Sequence, residues 1–123
     1  MSEMRAQAQA ALDRMVGPDG LVGAALVSRD GLPVMSRFDR PVNEESFSAM
    51  VAALLGAAEA AWQEWGEDRP HRAILEGDKL RLAIVGLDAE YLLAVAGRAP
   101  SDFVAFGKAV DAAAREMRTL LKG

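Results

Sequence analysis

Residues 43–66 read NEESFSAMVAALLGAAEAAWQEWG, and this stretch decides the fold. Asn43 is a good helix N-cap residue, and Gly66 can end the last helical turn. Two glutamates directly after Asn43 suit the positive end of a helix dipole. The high content of Ala, Leu and Met favours helix throughout. We therefore predict one long helix here, called the central helix below.

The central helix is expected to be apolar on two faces. At 100° per residue, one face carries large side chains, namely Phe47, Met50, Val51, Leu54, Leu55, Ala58, Ala61, Trp62 and Trp65. The opposite face carries small ones, namely Ala49, Ala52, Ala53, Gly56 and Ala60. A helix that is apolar nearly all round is usually covered on both sides. We expect the large face to cover a sheet and the small face to contact a second subunit. The alternative is that these alanines face water, because Ala is simply the best helix former.

Length, composition and charge narrow the class of protein. The chain has 123 residues, enough for one compact domain and too few for two. Its net charge of −4 argues against a nucleic-acid binder and against a polybasic membrane anchor. The charged first residues do not favour a signal peptide, no apolar run is long enough to span a bilayer, and the lack of Cys fits a reducing compartment. We predict a single cytoplasmic domain over residues 1–123.

Gly and Pro clusters divide the rest of the chain into two further helices and five strands. Residues 2–16 have helical spacing and precede a Gly-Pro-Asp-Gly breaker at 17–20. The predicted strands are 21–28, 33–38, 71–76, 79–85 and 91–96. A last amphipathic helix follows Ser101, its predicted N-cap.

Two of these strands predict how the layers are arranged. The first and fifth strands are nearly continuous apolar runs, which is typical of central strands covered on both faces. We therefore expect the first and last helices on one face of the sheet and the central helix on the other. In the fourth strand, Lys79 and Arg81 are expected to point away from the side on which Leu80, Leu82 and Ile84 lie.

No residue pattern identifies a catalytic centre. His71 is the sole histidine and there is no Cys, which leaves little for metal binding or nucleophilic catalysis. No phosphate-binding Gly-x-x-x-x-Gly-Lys-Ser/Thr motif occurs. The paired carboxylates, such as Glu44 with Glu45, are explained by helix-dipole and turn preferences. We predict a protein that is not an enzyme and that holds no cofactor or metal.

Four segments resemble the Roadblock/dynein-light-chain family. They are the predicted hairpin GAALVSRDGLPV at 23–34, the Ala- and Leu-rich helix at 47–61, ILEGD at 74–78, and LAIVGLDAEYLLAV at 82–95. The resemblance covers nearly the whole chain. It rests on turns and apolar runs, and it carries no catalytic residue onto this sequence.

The resemblance implies an α/β (α+β) fold and a homodimer. The implied fold is a profilin-like sandwich with a five-stranded antiparallel sheet in the order 2-1-5-4-3. The central helix lies on one face of this sheet, and the N- and C-terminal helices lie on the other. In the implied dimer the central helices meet and the third strands pair into a ten-stranded sheet. The expected interface residues are Ala49, Ala52, Ala53, Gly56, Ala60, Ala73 and Leu75.

The resemblance also implies a role. Members of this family are non-enzymatic partners of small Ras-like GTPases or light chains of motor complexes, and the Mgl-type members activate GTP hydrolysis by their partner. We therefore expect a non-catalytic homodimeric regulator or scaffold that binds a small Ras-like GTPase and could stimulate its GTP hydrolysis. Glu59, Gln63 and Glu64 are the candidate partner contacts. The alternatives are a small-molecule-sensing domain and a plain dimerisation domain of a larger complex.

Overall fold

A computed structural model describes residues 2–17, 20–99 and 101–122 of the chain. Within these residues the elements, in chain order, are α1 (Ser2–Met15), β1 (Gly23–Ser28), β2 (Pro33–Phe38), α2 (Glu44–Glu64), β3 (Ala73–Glu76), β4 (Leu80–Gly86), β5 (Tyr91–Arg98) and α3 (Phe103–Lys122). Of the predicted breaker at 17–20, Pro18 and Asp19 lie outside the described residues.

The strands form one antiparallel sheet in the order β2-β1-β5-β4-β3, which confirms the predicted topology. β1 and β5 occupy the middle of the sheet, as their apolar runs predict. β2 and β3 are its edges, and β3 is the shortest strand, pairing with β4 only from Ala73↔Ile84 to Glu76↔Arg81. β4 therefore continues past the start of β3 to Gly86.

Each face of the sheet has its own hydrophobic core. On one face, Leu12 of α1 and Met117 of α3 pack against strand residues that include Leu26. On the other face, Leu55 of α2 packs against strand residues that include Ile84. The two terminal helices thus share one face and the central helix covers the other, as predicted. Burial of this kind contributes about 25 cal/mol per Å² of apolar surface removed from water.

The hairpin turn and the end of the central helix follow the predicted glycines. Gly31 has φ +90° in the turn between β1 and β2, and Gly66 has φ +73° just after α2. Both values lie in the left-handed region that favours glycine. The Gly66 N–H donates to the Gln63 carbonyl at 2.9 Å and closes the last turn. At the other end, the Asn43 side chain accepts from the Ser46 N–H, so Asn43 is the predicted N-cap.

The predicted N-cap of the last helix, Ser101, is wrong. α3 begins at Phe103, and the Asp102 carboxylate accepts from the N–H groups of Val104 and Ala105 at 2.9 and 3.2 Å. Two adjacent residues of this segment were both suitable caps, and the sequence did not decide between them. The Ser101 hydroxyl instead accepts from the Arg81 guanidinium at 3.0 Å.

Arg81 is a buried cation rather than an ordinary polar residue of a strand. Its side chain is 7% exposed and pairs with the Glu76 carboxylate at 2.9 Å. The guanidinium lies 5.1 Å from the Phe103 ring centroid and 5.5 Å from that of Phe106. The alternation of β4 is as predicted, but α3 closes over the polar side of its first residues. The ion pair and the two rings take the place of water around the guanidinium.

Candidate interaction surface on α2 and β3

α2 covers the sheet with a narrow strip of its surface. The buried residues of α2 are Ser48, Val51 and Leu55, which recur at helical spacing. Phe47 is half-buried and its ring meets that of Phe38 edge-on, with centroids 5.6 Å apart. A stripe about 100° wide is what a helix usually turns toward a single sheet. Much of the remaining surface of α2 is left uncovered by its own chain.

The uncovered part of α2 is apolar and includes several large side chains. Met50 is 63% exposed, Leu54 39%, Trp62 45% and Trp65 86%. Our expectation that the whole large face covers the sheet is therefore wrong for these four residues. We call the uncovered part the outer face of α2 and define it by its exposed members, namely Ala49, Met50, Ala53, Leu54, Gly56, Ala57, Ala60, Ala61, Trp62 and Trp65. Small and large side chains are mixed on it.

The small residues of the predicted dimer interface lie on the outer face, with one exception. The structure leaves Ala49, Ala53, Gly56 and Ala60 exposed. Ala52 is half-buried and packs against the core beneath α2, so much of its surface faces its own chain. A Cβ atom added at Gly56 would meet nothing within 4 Å, which means that a helix backbone can be approached closely at this point.

The other predicted interface element is the free edge of the sheet. β3 pairs with β4 on one side, and within the described residues no strand pairs with its other side. Ala73 is half-buried, and Leu75 is 42% exposed. An edge strand presents unpaired N–H and C=O groups that can pair with another chain. The outer face and the edge of β3 are therefore two surfaces suited to contact with a second molecule.

The three predicted partner contacts differ in their surroundings. Gln63 and Glu64 are exposed near the end of α2. The Glu59 side chain is only 18% exposed, because both of its carboxylate oxygens accept from Nη1 of Arg29 at 3.0 and 3.1 Å. Glu59 therefore ties α2 to the end of β1, and it does not project freely like the other two.

Sequence reasoning missed Arg29 as an organising residue. Its Nε donates to the Asp88 carbonyl at 3.1 Å while Nη1 binds Glu59, so one side chain links α2 to two turns of the sheet. The guanidinium passes over Gly86, where a Cβ atom would collide with Nη2. No local pattern in the Arg-Asp-Gly turn signals this contact, because the partners are 30 and 59 residues away.

The candidate surface carries no arrangement of groups for acid–base or metal chemistry. Among the described residues, no three His, Asp or Glu side chains come together as a metal site. The perturbed titrating pair, Asp39 and Arg40, lies on the turn after β2. There the hydrogen bond from Arg40 lowers the pKa of Asp39 and raises the pKa of Arg40. Arg40 is exposed and the Asp39 side chain is partly exposed, which is typical of an ion pair at the surface.

A small cleft lies at the end of the outer face. Ala61, Trp62, Trp65 and Glu67 line it, with a volume of about 370 Å³. Two exposed indole rings beside one carboxylate are suited to anchoring a protein partner, because Trp is enriched at binding hot spots.

Across residues 2–17, 20–99 and 101–122, none of the helices combines the length and the apolar character needed to cross a bilayer.

Comparisons with known proteins support the family resemblance and the fold. Residues 7–96 match the model of the Roadblock/LC7 domain. MglB of Myxococcus xanthus is similar with a TM-score of 0.85 and 17% identity, over 94% of this chain and 95% of that chain. A structure of MglB with tetrameric arrangement has a TM-score of 0.84 and 17% identity, over 95% and 89% of the two chains.

A more distant structural match confirms the profilin-like sandwich. Profilin II of Acanthamoeba castellanii has a TM-score of 0.65 and 14% identity, over 90% of this chain and 96% of that chain. Identities this low establish a shared fold and nothing finer. No curated protein matches the sequence.

Proposed function

The chain belongs to the Roadblock/LC7 family, and on that premise we propose that it is a non-catalytic homodimeric regulator of a small Ras-like GTPase. The observation that carries the proposal is the exposed apolar outer face of α2. A monomeric soluble protein rarely leaves so many large side chains uncovered along one helix, and such patches usually mark protein–protein contacts. The proposal includes a single Roadblock domain and a cytoplasmic location.

The proposed dimer uses both surfaces of the candidate site. A two-fold axis beside β3 lets the edge strands of two copies pair, so that the main-chain groups near Ala73 and Leu75 are satisfied. The same axis brings the two α2 helices together. Close approach then occurs at Ala53, Gly56 and Ala60, where the side chains are small. The structural neighbour described as MglB with tetrameric arrangement supports association of this fold into higher assemblies.

The proposed GTPase contact uses the side chains near the end of α2 that remain exposed in the proposed dimer. Trp62 and Trp65 would anchor the partner, and Gln63 and Glu64 would contribute polar contacts around them. The partner holds the nucleotide and its Mg²⁺. The regulator then acts by ordering the partner's switch segments, which needs complementary shape and no catalytic group of its own. A regulator of this kind needs a contact surface and no catalytic group, which fits a chain in which the outer face of α2 is apolar.

Single-turnover GTP hydrolysis tests the proposal. Each small Ras-like GTPase of the source organism is loaded with GTP and mixed with the protein, and both complex formation and phosphate release are followed. We expect one GTPase to bind, with Trp65→Ala weakening the complex by about tenfold or more, as for a central hot-spot residue. Val104→Ala removes another exposed apolar side chain, from α3, and serves as the control, with affinity unchanged.

Two results of this experiment would refute the proposal. If no GTPase binds, a small Ras-like GTPase is excluded as the partner. Equal effects of Trp65→Ala and Val104→Ala would mean that the outer face of α2 is not the surface that the partner recognises. Binding without faster hydrolysis would instead identify a scaffold and exclude the activating role.

A further inference from the structure

The structure has a second surface feature besides the outer face of α2. It lies on the other side of the sheet edge that β3 forms. A cavity of about 760 Å³ opens between α3 and the segment that leads into β3. Its floor includes Val85, at the end of β4 that extends past β3, and Trp62 lies at its rim. The volume falls in the range of small-molecule sites. We call it the α3 cavity.

The charge in the α3 cavity is strongly positive, although the chain as a whole carries a net charge of −4. Arg72, Arg115, Arg118 and Lys122 line it, and Asp111 is the sole carboxylate among its lining residues. Four cations against one carboxylate in one concave site raise the local concentration of anions. The cavity thus has the electrostatic character that an anionic ligand requires.

The position of these cations is not explained by helix preferences alone. Lys and Arg are favoured near a helix C-terminus, which accounts for part of the charge on the last turn of α3. However, Arg118 lies three residues after Arg115 and four before Lys122, and like charges at these spacings repel one another. Arg72 comes from a different part of the chain and adds to the same positive field. An anion between them would relieve this repulsion.

Two of the guanidinium groups are held in place by the fold. Arg72 Nη1 donates to the Asp111 carboxylate at 2.5 Å, and its Nη2 lies 3.2 Å from where a Cβ atom of Gly107 would be. Arg118 donates from Nη2 to the Gly86 carbonyl at 2.9 Å, and from Nε to the next carbonyl at 3.3 Å. Fixed guanidinium groups suit phosphate, whose oxygens they can bind in pairs with little loss of side-chain entropy.

From this arrangement we infer that the α3 cavity binds a soluble small molecule that carries phosphate groups. Arg72 and Arg118 form its fixed side, and the exposed side chains of Arg115 and Lys122 close on the phosphates from α3. The ring of Trp62 and the side chain of Val85 provide an apolar surface for the rest of the ligand. This site shares Trp62 with the proposed GTPase contact but has its own charged residues, and it requires neither a nucleotide-loaded partner nor a dimer.

The simplest probe is inorganic pyrophosphate, titrated into the purified protein in metal-free buffer at low salt. Calorimetry should give saturable binding with a Kd of about 1 mM or tighter. Backbone amide NMR shifts should be confined to residues 71–72, 85–87 and 111–122 and to the neighbourhood of Trp62. Raising NaCl to about 0.5 M should weaken binding, because exposed cations are screened at that ionic strength.

Two matched double variants separate a built site from general surface charge. Arg115→Gln with Lys122→Gln removes the two flexible cations and should weaken binding by about tenfold or more. Arg5→Gln with Arg37→Gln removes the same charge from exposed positions on α1 and β2 and should leave the Kd within about twofold. Thermal melts confirm that both variants are folded.

Several outcomes would overturn the inference. These are the absence of saturable pyrophosphate binding, an equal loss in both double variants, or amide shifts that map elsewhere. A phosphate-bearing lipid headgroup is distinguished by co-sedimentation with phosphatidylglycerol vesicles. Binding to vesicles without binding to pyrophosphate would mean a flat membrane-facing patch and not a small-molecule site.

Discussion

Substituting Gly56 tests whether the α2 helices meet. Gly56 lies inside a 21-residue helix, and a Cβ atom there would touch nothing within its own chain. In an isolated chain, Gly56→Ala and Gly56→Leu should therefore both stabilise, by about 0.5–1 kcal/mol, since Gly is the poorest helix former after Pro. For a domain of this size that corresponds to a rise in Tm of roughly 2–5 °C.

In the proposed dimer, Gly56→Ala and Gly56→Leu should differ in their effect on the association of the two copies. One methyl group at a close helix contact is tolerated or costs little. A Leu side chain overpacks the contact at about 1–3 kcal/mol per copy, and the two-fold axis doubles this. The dimer dissociation constant of Gly56→Leu should rise by at least about 30-fold. The predicted product is a folded monomer that is more stable than the dissociated wild-type chain.

Sedimentation equilibrium over a range of concentrations measures the association, and far-ultraviolet circular dichroism with a thermal melt checks the fold. Gly56→Ala is the control, because it makes the same change in helix propensity without filling the contact. A wild-type dimer whose dissociation constant is unchanged by Gly56→Leu would refute the reasoning, since the side chain at this position would then face water in the assembly.

Three further substitutions test the fold and its electrostatics. Gly97→Ala would place a Cβ atom 2.8 Å from the buried ring of Phe106, so urea unfolding should show a loss of about 1–3 kcal/mol. Asp102→Ala removes two hydrogen bonds at the start of α3 and should cost about 1 kcal/mol by the same measurement. Arg40→Gln should raise the pKa of Asp39 toward its usual value, as followed by NMR titration of the carboxyl carbon. Because this pKa is lowered in the folded state, the small stabilisation is present near neutral pH and is lost as pH falls through the folded pKa, and the variant should show less of this dependence, since the attraction of Arg98 remains.

Most of the fold could be predicted from local patterns. The continuous apolar runs of β1 and β5 indicated central strands, and the glycine at position 31 indicated a tight hairpin. The central helix began and ended at the residues that its cap signals indicated. Each of these signals acts over a few residues, and each agrees with the global topology. A fold can be predicted from local patterns when they agree in this manner.

The features that were missed depend on contacts between distant segments. The apolar character of α2 was evident, but the sequence did not show which part of the helix faces the sheet, and Met50 and Trp65 were placed on the wrong side. Arg81 was recognised as polar, but α3 closes over it. The first strand was predicted from residue 21, yet Leu21 is bound to Met15 at the end of α1 and β1 starts at Gly23. In each case tertiary packing overrides a local preference.

Trp62 joins the two proposed sites and allows a test of whether they communicate. Its side chain lines both the α3 cavity and the cleft that it shares with Trp65. A ligand in the α3 cavity that orders the Trp62 side chain changes the conformational entropy that this side chain loses when a partner binds in the cleft. The two binding free energies therefore become coupled. We expect saturating pyrophosphate to change the GTPase affinity by at least about fivefold, and the GTPase to change pyrophosphate affinity by the same factor, as linkage requires. Trp62→Ala should abolish this coupling while leaving some pyrophosphate binding to the arginines. If the coupling survives that substitution, it passes through another route and Trp62 is only a neighbour of both sites.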